Sequence, residues 1–176
     1  QARTVLDLAN REVVVPKDLQ SVVSIHAEPD AIVARLRPDL QKTRQENAAA
    51  RIMPIFSEEE QARLKALPLV NAFYKATSID TILGVNPDII MDITKDPSLE
   101  KRSAEFGGIP VVALSKDTIP EYIKSWRLAG KVLQTETEAN RIADFLQATV
   151  DSVTKALPPV EQRPKVWLVT GTNLEV

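Results

Sequence analysis

Seven apolar residues, Ala139, Ile142, Ala143, Leu146, Val150, Val153 and Leu157, step by three and four along the chain. That spacing lines one face of an α-helix. Thr135 with Glu138 three residues on reads as a capping box, and Pro158-Pro159 as a stop. A helix of about 22 residues at 1.5 Å per residue is roughly 33 Å long. The chain before it is built of shorter periods. Thr4 to Leu8 alternate, Asn10 marks a turn, and Glu12 to Val15 rise again before Pro16, which predicts a β-hairpin with Ala9-Asn10 at its apex. Val22-Val23-Ser24-Ile25 is a β-branched run of the kind found in buried parallel strands. Glu28 and Asp30 then flank Pro29 at a helix start with Ala31, Ile32 and Leu36 on its apolar face. His26 therefore falls in a strand-to-helix loop.

Up to Arg51 the chain is polar and alanine-rich with a less clear period, and Ser57 with Glu60 then signals a capped helix carrying Ala62, Leu64 and Leu67. Leu69-Val70 is a short extended piece and 71–76 a loop. Ser78 caps a helical stretch with Ile79, Ile82 and Leu83 that Gly84 ends. Ile89-Ile90-Met91 has the character of a central parallel strand, with Asp92 and Thr94 at its carboxyl end. Ser98 caps a helix reaching Phe106, Gly107-Gly108 turns the chain, and Ile109 to Leu114 form another buried strand. Asp117 starts a helix with Ile119, Ile123, Trp126, Ala129 and Val132 on one face, and after the proline pair RPKVWLVTG reads as a late strand. This alternation predicts an α/β fold with an open, mainly parallel sheet flanked by helices and ending in the long helix. Right-handed crossovers bring every strand's carboxyl end to one edge, where open sheets bind ligands. The loops on that edge begin at His26, Asn71, Asp92 and Ser115.

Composition narrows the function. A chain of 176 residues with 44% hydrophobic and 26% charged residues can bury a core unaided. A formal charge of -2 argues against a nucleic-acid surface. No apolar run reaches membrane-span length and no intact secretory signal is present, so the expectation is a soluble chain whose Gln1 is an end left by processing. With no cysteine, disulfides and thiolate chemistry are excluded. One histidine and no cysteine make a poor site for a bare transition-metal ion.

The candidate residues carry paired readings. His26 is the lone histidine; such a residue is more often structural than a ligand, yet its loop is on the binding edge. Tyr74 beside Lys75 can stack on a planar ligand and match its negative charge, or be a half-buried tyrosine next to a solvated lysine. Glu58-Glu59-Glu60 reads as a complement to a helix dipole in preference to a cation site. Asp88, Asp92 and Asp96 read as solvated loop charges, and Trp126 and Trp167 as core. There is no nucleophile elbow, phosphate-cradling glycine loop or acid/base constellation among so few glycines, so no enzyme and no cofactor are expected.

These pieces resemble the substrate-binding proteins of bacterial ABC importers, in the cluster that handles iron-siderophore complexes, haem, cobalamin and some oxyanions. VLDLANREVVVPKDLQSVVSI is similar to the family's "D-x-x-G-R-x-V-x-x-P" hairpin followed by "R-V-V-S-L", with Asn10 in place of glycine. LPLVNAFYKATSIDTILGVNPDIIM is similar to "L-P-x-V-G-x-x-x-x-x-x-x-E-x-I-L-x-L-x-P-D-L-I", with Asn71 for glycine and Asp80 for glutamate, and FGGIPVVAL to "G-I-P-V-V-x-L". The resemblance implies two α/β lobes joined by a long helix, in roughly 250 to 350 residues. This chain then corresponds to an amino-terminal lobe (1–134), a connecting helix (135–158) and the start of a mostly absent second lobe (159–176). It implies no catalysis, a periplasmic location with the signal peptide removed, and capture of a metal chelate or an oxyanion for delivery to an ABC permease. Ligand contacts are implied at His26, Glu28, Phe73, Tyr74, Lys75, Thr94 and Lys116, and a permease-docking role at Asp80. The alternative is a stand-alone interaction or scaffold domain that self-associates through its exposed helix and strand. With only one lobe present, part of the long helix's apolar face around Val150, Val153 and Leu157 and the strand 166–170 are expected to lack intramolecular cover.

Overall fold

The computed structural model describes residues 2–45, 56–70, 79–93 and 99–168. Strands β1 (Arg3–Leu6) and β2 (Glu12–Val15) form the expected antiparallel hairpin, with Arg3 opposite Val15 and Leu6 opposite Glu12. Asn10 takes the left-handed conformation at φ 58°, which its short polar side chain tolerates. Strands β3 (Val22–Ser24), β6 (Ile89–Ile93) and β7 (Val111–Leu114) form a parallel sheet in the order β3-β6-β7. A second parallel pair joins β4 (Arg44–Gln45) to β5 (Leu69–Val70). A parallel bridge from Val22 to Gln41 seats this pair as an arm beside β3.

Alternation divides the strands between two cores, as a pleat requires. Val22, Ile89, Met91, Val112 and Leu114 face helices α1 (Ala27–Leu36), α5 (Ile119–Leu133) and the start of α6 (Glu136–Ala156). Val23, Ile25, Ile90, Val111 and Ala113 face the other way, onto Ile82 of α3 (Ile79–Gly84), and onto Phe106 and Leu99 of α4 (Leu99–Glu105). Helix α2 (Glu58–Ala66) has the expected capping box: Glu60 N–H donates to Ser57 Oγ at 3.2 Å, and Ser57 N–H to Glu60 Oε2 at 3.0 Å.

The hairpin closes the free edge of β7. Asp7, buried, accepts from Ala9 N–H and Arg11 N–H and from the Arg11 guanidinium, and also from Ala113 N–H at 3.1 Å. Leu8 N–H donates to Ala113 O, and Arg11 reaches on to Val111 O at 2.9 Å. An edge strand's unpaired backbone groups are thereby satisfied.

Several local expectations are corrected. Helix α5 is capped by Thr118, whose side chain accepts from Glu121 N–H, and not by Asp117. Helix α3 does end at Gly84, but the left-handed residue that follows it is Asn86, at φ 47°. Thr135 makes no side-chain cap, because the tight α5–α6 connection places it at ψ 38° and spends its N–H on Gly130 O. Glu138 instead pairs with Arg35 at 2.7 Å and with Arg141 at 2.8 Å. The close α5–α6 contact depends on Gly130, where a Cβ would come within 2.4 Å of Ala139 Cβ. The expected caps Ser78 and Ser98 lie outside the described residues.

Only Ala139 and Ala143 of α6 are buried. From Asp151 to Leu168 every residue is exposed. Residues 164–168, expected to begin a strand, form neither helix nor strand, and Trp167, expected in the core, is 72% exposed. A strand needs a neighbour to accept its hydrogen bonds, and among the described residues none pairs with it. Val153 and Leu157 are exposed, as expected for a helix with only one lobe against it, and Val150 is half-buried.

Candidate functional site

The residues that follow β3 and β7 and the end of β6 lie at the carboxyl edge of the sheet, because all three strands are parallel. His26 follows β3 and occupies the N-cap position of α1 in extended conformation, without a side-chain cap. Its imidazole is buried, with Nε2 3.1 Å from Oδ1 of Asp92 near the end of β6. Asp92 Oδ1 also accepts from Ile93 N–H at 2.8 Å. The solvated reading of Asp92 is therefore corrected: it lies inside an apolar strand, flanked by Met91 and Ile93, and its buried charge needs the partners it has. Asp88 is corrected likewise. At the opposite strand end its carboxylate accepts from Gln20 N–H and Ser21 N–H, holding the entry to β3.

The loops after β3 and β7 are joined by an ion pair, Lys116 Nζ to Glu28 Oε1 at 3.0 Å, with side chains 42% and 28% exposed. Beside it Ser115 is fixed: its N–H donates to Ser125 Oγ at 2.8 Å, and its own Oγ donates to Glu121 Oε2 at 3.0 Å. The edge thus offers a buried His-Asp floor and a solvent-reachable pair of opposite charges that a ligand can part. Phe73, Tyr74, Lys75, Thr94 and Asp96 lie outside the described residues. Asp80 is exposed in the first turn of α3 and is not brought to this edge by any described contact. Among the described residues no group of three or more histidine and acidic side chains gathers as a metal site.

A groove of about 710 Å³ runs between α1, α5 and α6 and shares Glu28 with the edge. Tyr122 and Trp126 line it, edge to face at 6.4 Å and 83°, with Ile142 and the exposed Phe145. The α5 periodicity showed Trp126 as apolar-facing, but not that Tyr122 stacks edge-on against it one turn away, nor that Glu121 and Ser125 turn back to Ser115 in the preceding loop.

The sequence pattern of the family described as periplasmic binding protein matches residues 22–174. The chain belongs to that family. No curated protein sequence matches it significantly. Its fold is similar to a periplasmic solute binding protein from Veillonella parvula DSM 2008 (TM-score 0.73, 17% identity, 90% of this chain and 50% of that one). It is also similar to an ABC transporter solute binding protein from Sulfurospirillum deleyianum DSM 6946 (0.74, 19%, 87% and 49%). A third likeness is the molybdate periplasmic binding protein MolA of Haemophilus influenzae (0.67, 15%, 80% and 49%). The chain spans about half the length of each of these proteins. Periplasmic binding proteins are binding proteins and not enzymes, and membership implies an extracytoplasmic location. No described helix is long and apolar enough to cross a membrane.

Proposed function

We propose that this periplasmic binding protein chain is the amino-terminal lobe of a solute-binding component of an ABC importer, taking a metal chelate of the iron-siderophore, haem or cobalamin type, or an oxyanion. The observation that carries the reading is the convergence of His26, Glu28, Ser115 and Lys116 at one sheet edge, where Lys116 can leave Glu28 to meet an anionic ligand. The solved proteins with this fold include a molybdate binder and an ABC-type Fe3+-hydroxamate transport protein, which brackets the ligand chemistry. Phe73, Tyr74, Lys75 and Thr94 belong to the proposed contact set on the strength of the family resemblance. Helix α6 is assigned as the connecting helix, and 159–176 as the start of a second lobe. The exposure from Asp151 to Leu168 supports both assignments. Asp80 is assigned to docking on basic residues of the permease, supported by its exposure on α3.

One wall of a cleft leaves much of a ligand in water, so this chain alone should bind weakly. Calorimetric titration with a ferric hydroxamate, haem, cobalamin and molybdate tests the assignment. One of the four should bind with a Kd in the micromolar range or weaker, and Lys116→Ala should weaken an anionic ligand while changing stability by under about 1 kcal/mol. Silence toward all four, or an unchanged Kd in Lys116→Ala, counts against it. Exposed Phe145, Val153, Leu157 and Val160 favour a second reading, self-association through α6. Sedimentation velocity separates the two: a stable dimer without ligand binding favours the second.

A further inference from the structure

The groove between α1, α5 and α6 follows from side-chain size. Its α1 wall presents Ala27 and Ala31, one helical turn apart, and these small residues leave a space that Tyr122 and Trp126 of α5 and Ile142 and Phe145 of α6 border without filling. At about 710 Å³ it has the size of a small-molecule site. From Ala27 to Arg35 along α1 it is roughly 12 Å long at 1.5 Å per residue, which is room for a fused-ring molecule with one substituent. Phe145 stands 68% exposed on the α6 wall, an aromatic surface still to be covered.

The two ends of the groove differ in charge. At one end Arg35, on α1, and Arg141, on α6, converge on Glu138, at 2.7 and 2.8 Å. Two guanidinium groups share one carboxylate there, so this end keeps a surplus positive charge. Arg35 gives Glu138 only its Nη2, Arg141 its Nε and Nη2, and the two side chains are 52% and 64% exposed, so donors remain for a ligand. The acidic side chains of the lining are already engaged. Glu28 Oε1 holds Lys116 Nζ at 3.0 Å, and Glu60 Oε2 accepts from Ser57 N–H at the start of its own helix. An anion is therefore drawn to the arginine end, and planar guanidinium groups are the side chains best matched to a carboxylate.

We propose that this groove is a second small-molecule site, beside the carboxyl edge, and that its ligand is a planar aromatic carboxylate. The ring system lies among Tyr122, Trp126 and Phe145, and the carboxylate joins Arg35 and Arg141. Aromatic side chains meet such a ring edge-on or offset, as Tyr122 and Trp126 already meet each other. The site does not rest on the solute-binding assignment, because Ser115 and Lys116 are not in its lining.

A two-dimensional NMR titration of the chain with 2-naphthoate tests this. The Trp126 indole N–H and the amides of Ala31 and Ile142 should shift saturably, with a Kd of about 1 mM or tighter. 2-Naphthylmethylammonium, the same ring system with the opposite charge, should bind at least about fivefold more weakly, and Arg141→Gln should weaken 2-naphthoate by about the same factor. No saturable shift, equal binding of the two probes, or unchanged affinity in Arg141→Gln would overturn the proposal. So would shifts centred on Ser115 and Ile93, which would place the probe at the carboxyl edge. Shifts of Ala31 and Ile142 on diluting the protein alone would also overturn it, since a second copy would then hold the groove. The comparison of the two probes on the wild type decides the matter should Arg141→Gln not fold.

Discussion

The two sides of the sheet are each secured by a buried aspartate, and they are secured differently. On the β7 side Asp7 has the Arg11 guanidinium 2.8 Å away and three backbone N–H groups on its oxygens. On the arm side Asp30 has one amide side chain and one backbone N–H, with its cations at a distance. A carboxylate matched by a charge in contact and by fixed donors is a permanent staple. Asp30 has no cation in contact, and burial pushes its pKa up to about 7 in spite of its two donors. The same residue type therefore makes one side rigid and the other responsive to pH.

Asp7→Ala should do the most damage. It strands the Arg11 guanidinium and three backbone donors, one of them fully buried, and urea unfolding should show a loss of about 3–5 kcal/mol. A loss under about 1 kcal/mol would mean that the hairpin does not depend on its staple. Asp30→Asn tests the other side through pH. The folded pKa lies above the unfolded value, so the stabilisation is complete below pH 3.8 and is lost as pH rises through about 7. Unfolding curves from pH 4 to 8 should show the wild type losing up to roughly 4 kcal/mol relative to Asp30→Asn. Taking the difference removes Asp39 and Glu138, whose hydrogen bonds from Arg37 and Arg141 lower their pKa and act in the opposite direction at acid pH. Parallel curves would erase the contrast between the two aspartates. Arg11→Lys is the mildest change. It keeps the charge beside Asp7 but loses the paired geometry and the reach to Val111 O, and should cost about 1–2 kcal/mol. A cost equal to that of Asp7→Ala would show that the guanidinium geometry, and not the charge, is the staple.

Much of the architecture was legible from local chemistry. Asn10 at a tight turn, the Ser57–Glu60 box and the two apolar faces of the central strands depend on residues close in the chain, whose spacing already states their partners. The candidate site was legible only as an edge. His26 and Lys116 could be placed there by strand order, but that His26 is turned inward to Asp92, and that Lys116 is held by Glu28 across 88 residues, could not.

The sequence by itself determined most of the helices, the central strands and the family, because periodicity, caps and turn residues act over a few positions. Tertiary structure alone decided which charges are buried and against what. Asp92 and Asp30 look like ordinary loop and helix-start acids until the fold removes water from them. Thr135 looks like a cap until the α5–α6 approach takes its geometry away. Trp167 looks like core until no strand stands beside it. Solvation and long-range contact are properties of the assembled chain, and spacing along the sequence carries no record of either.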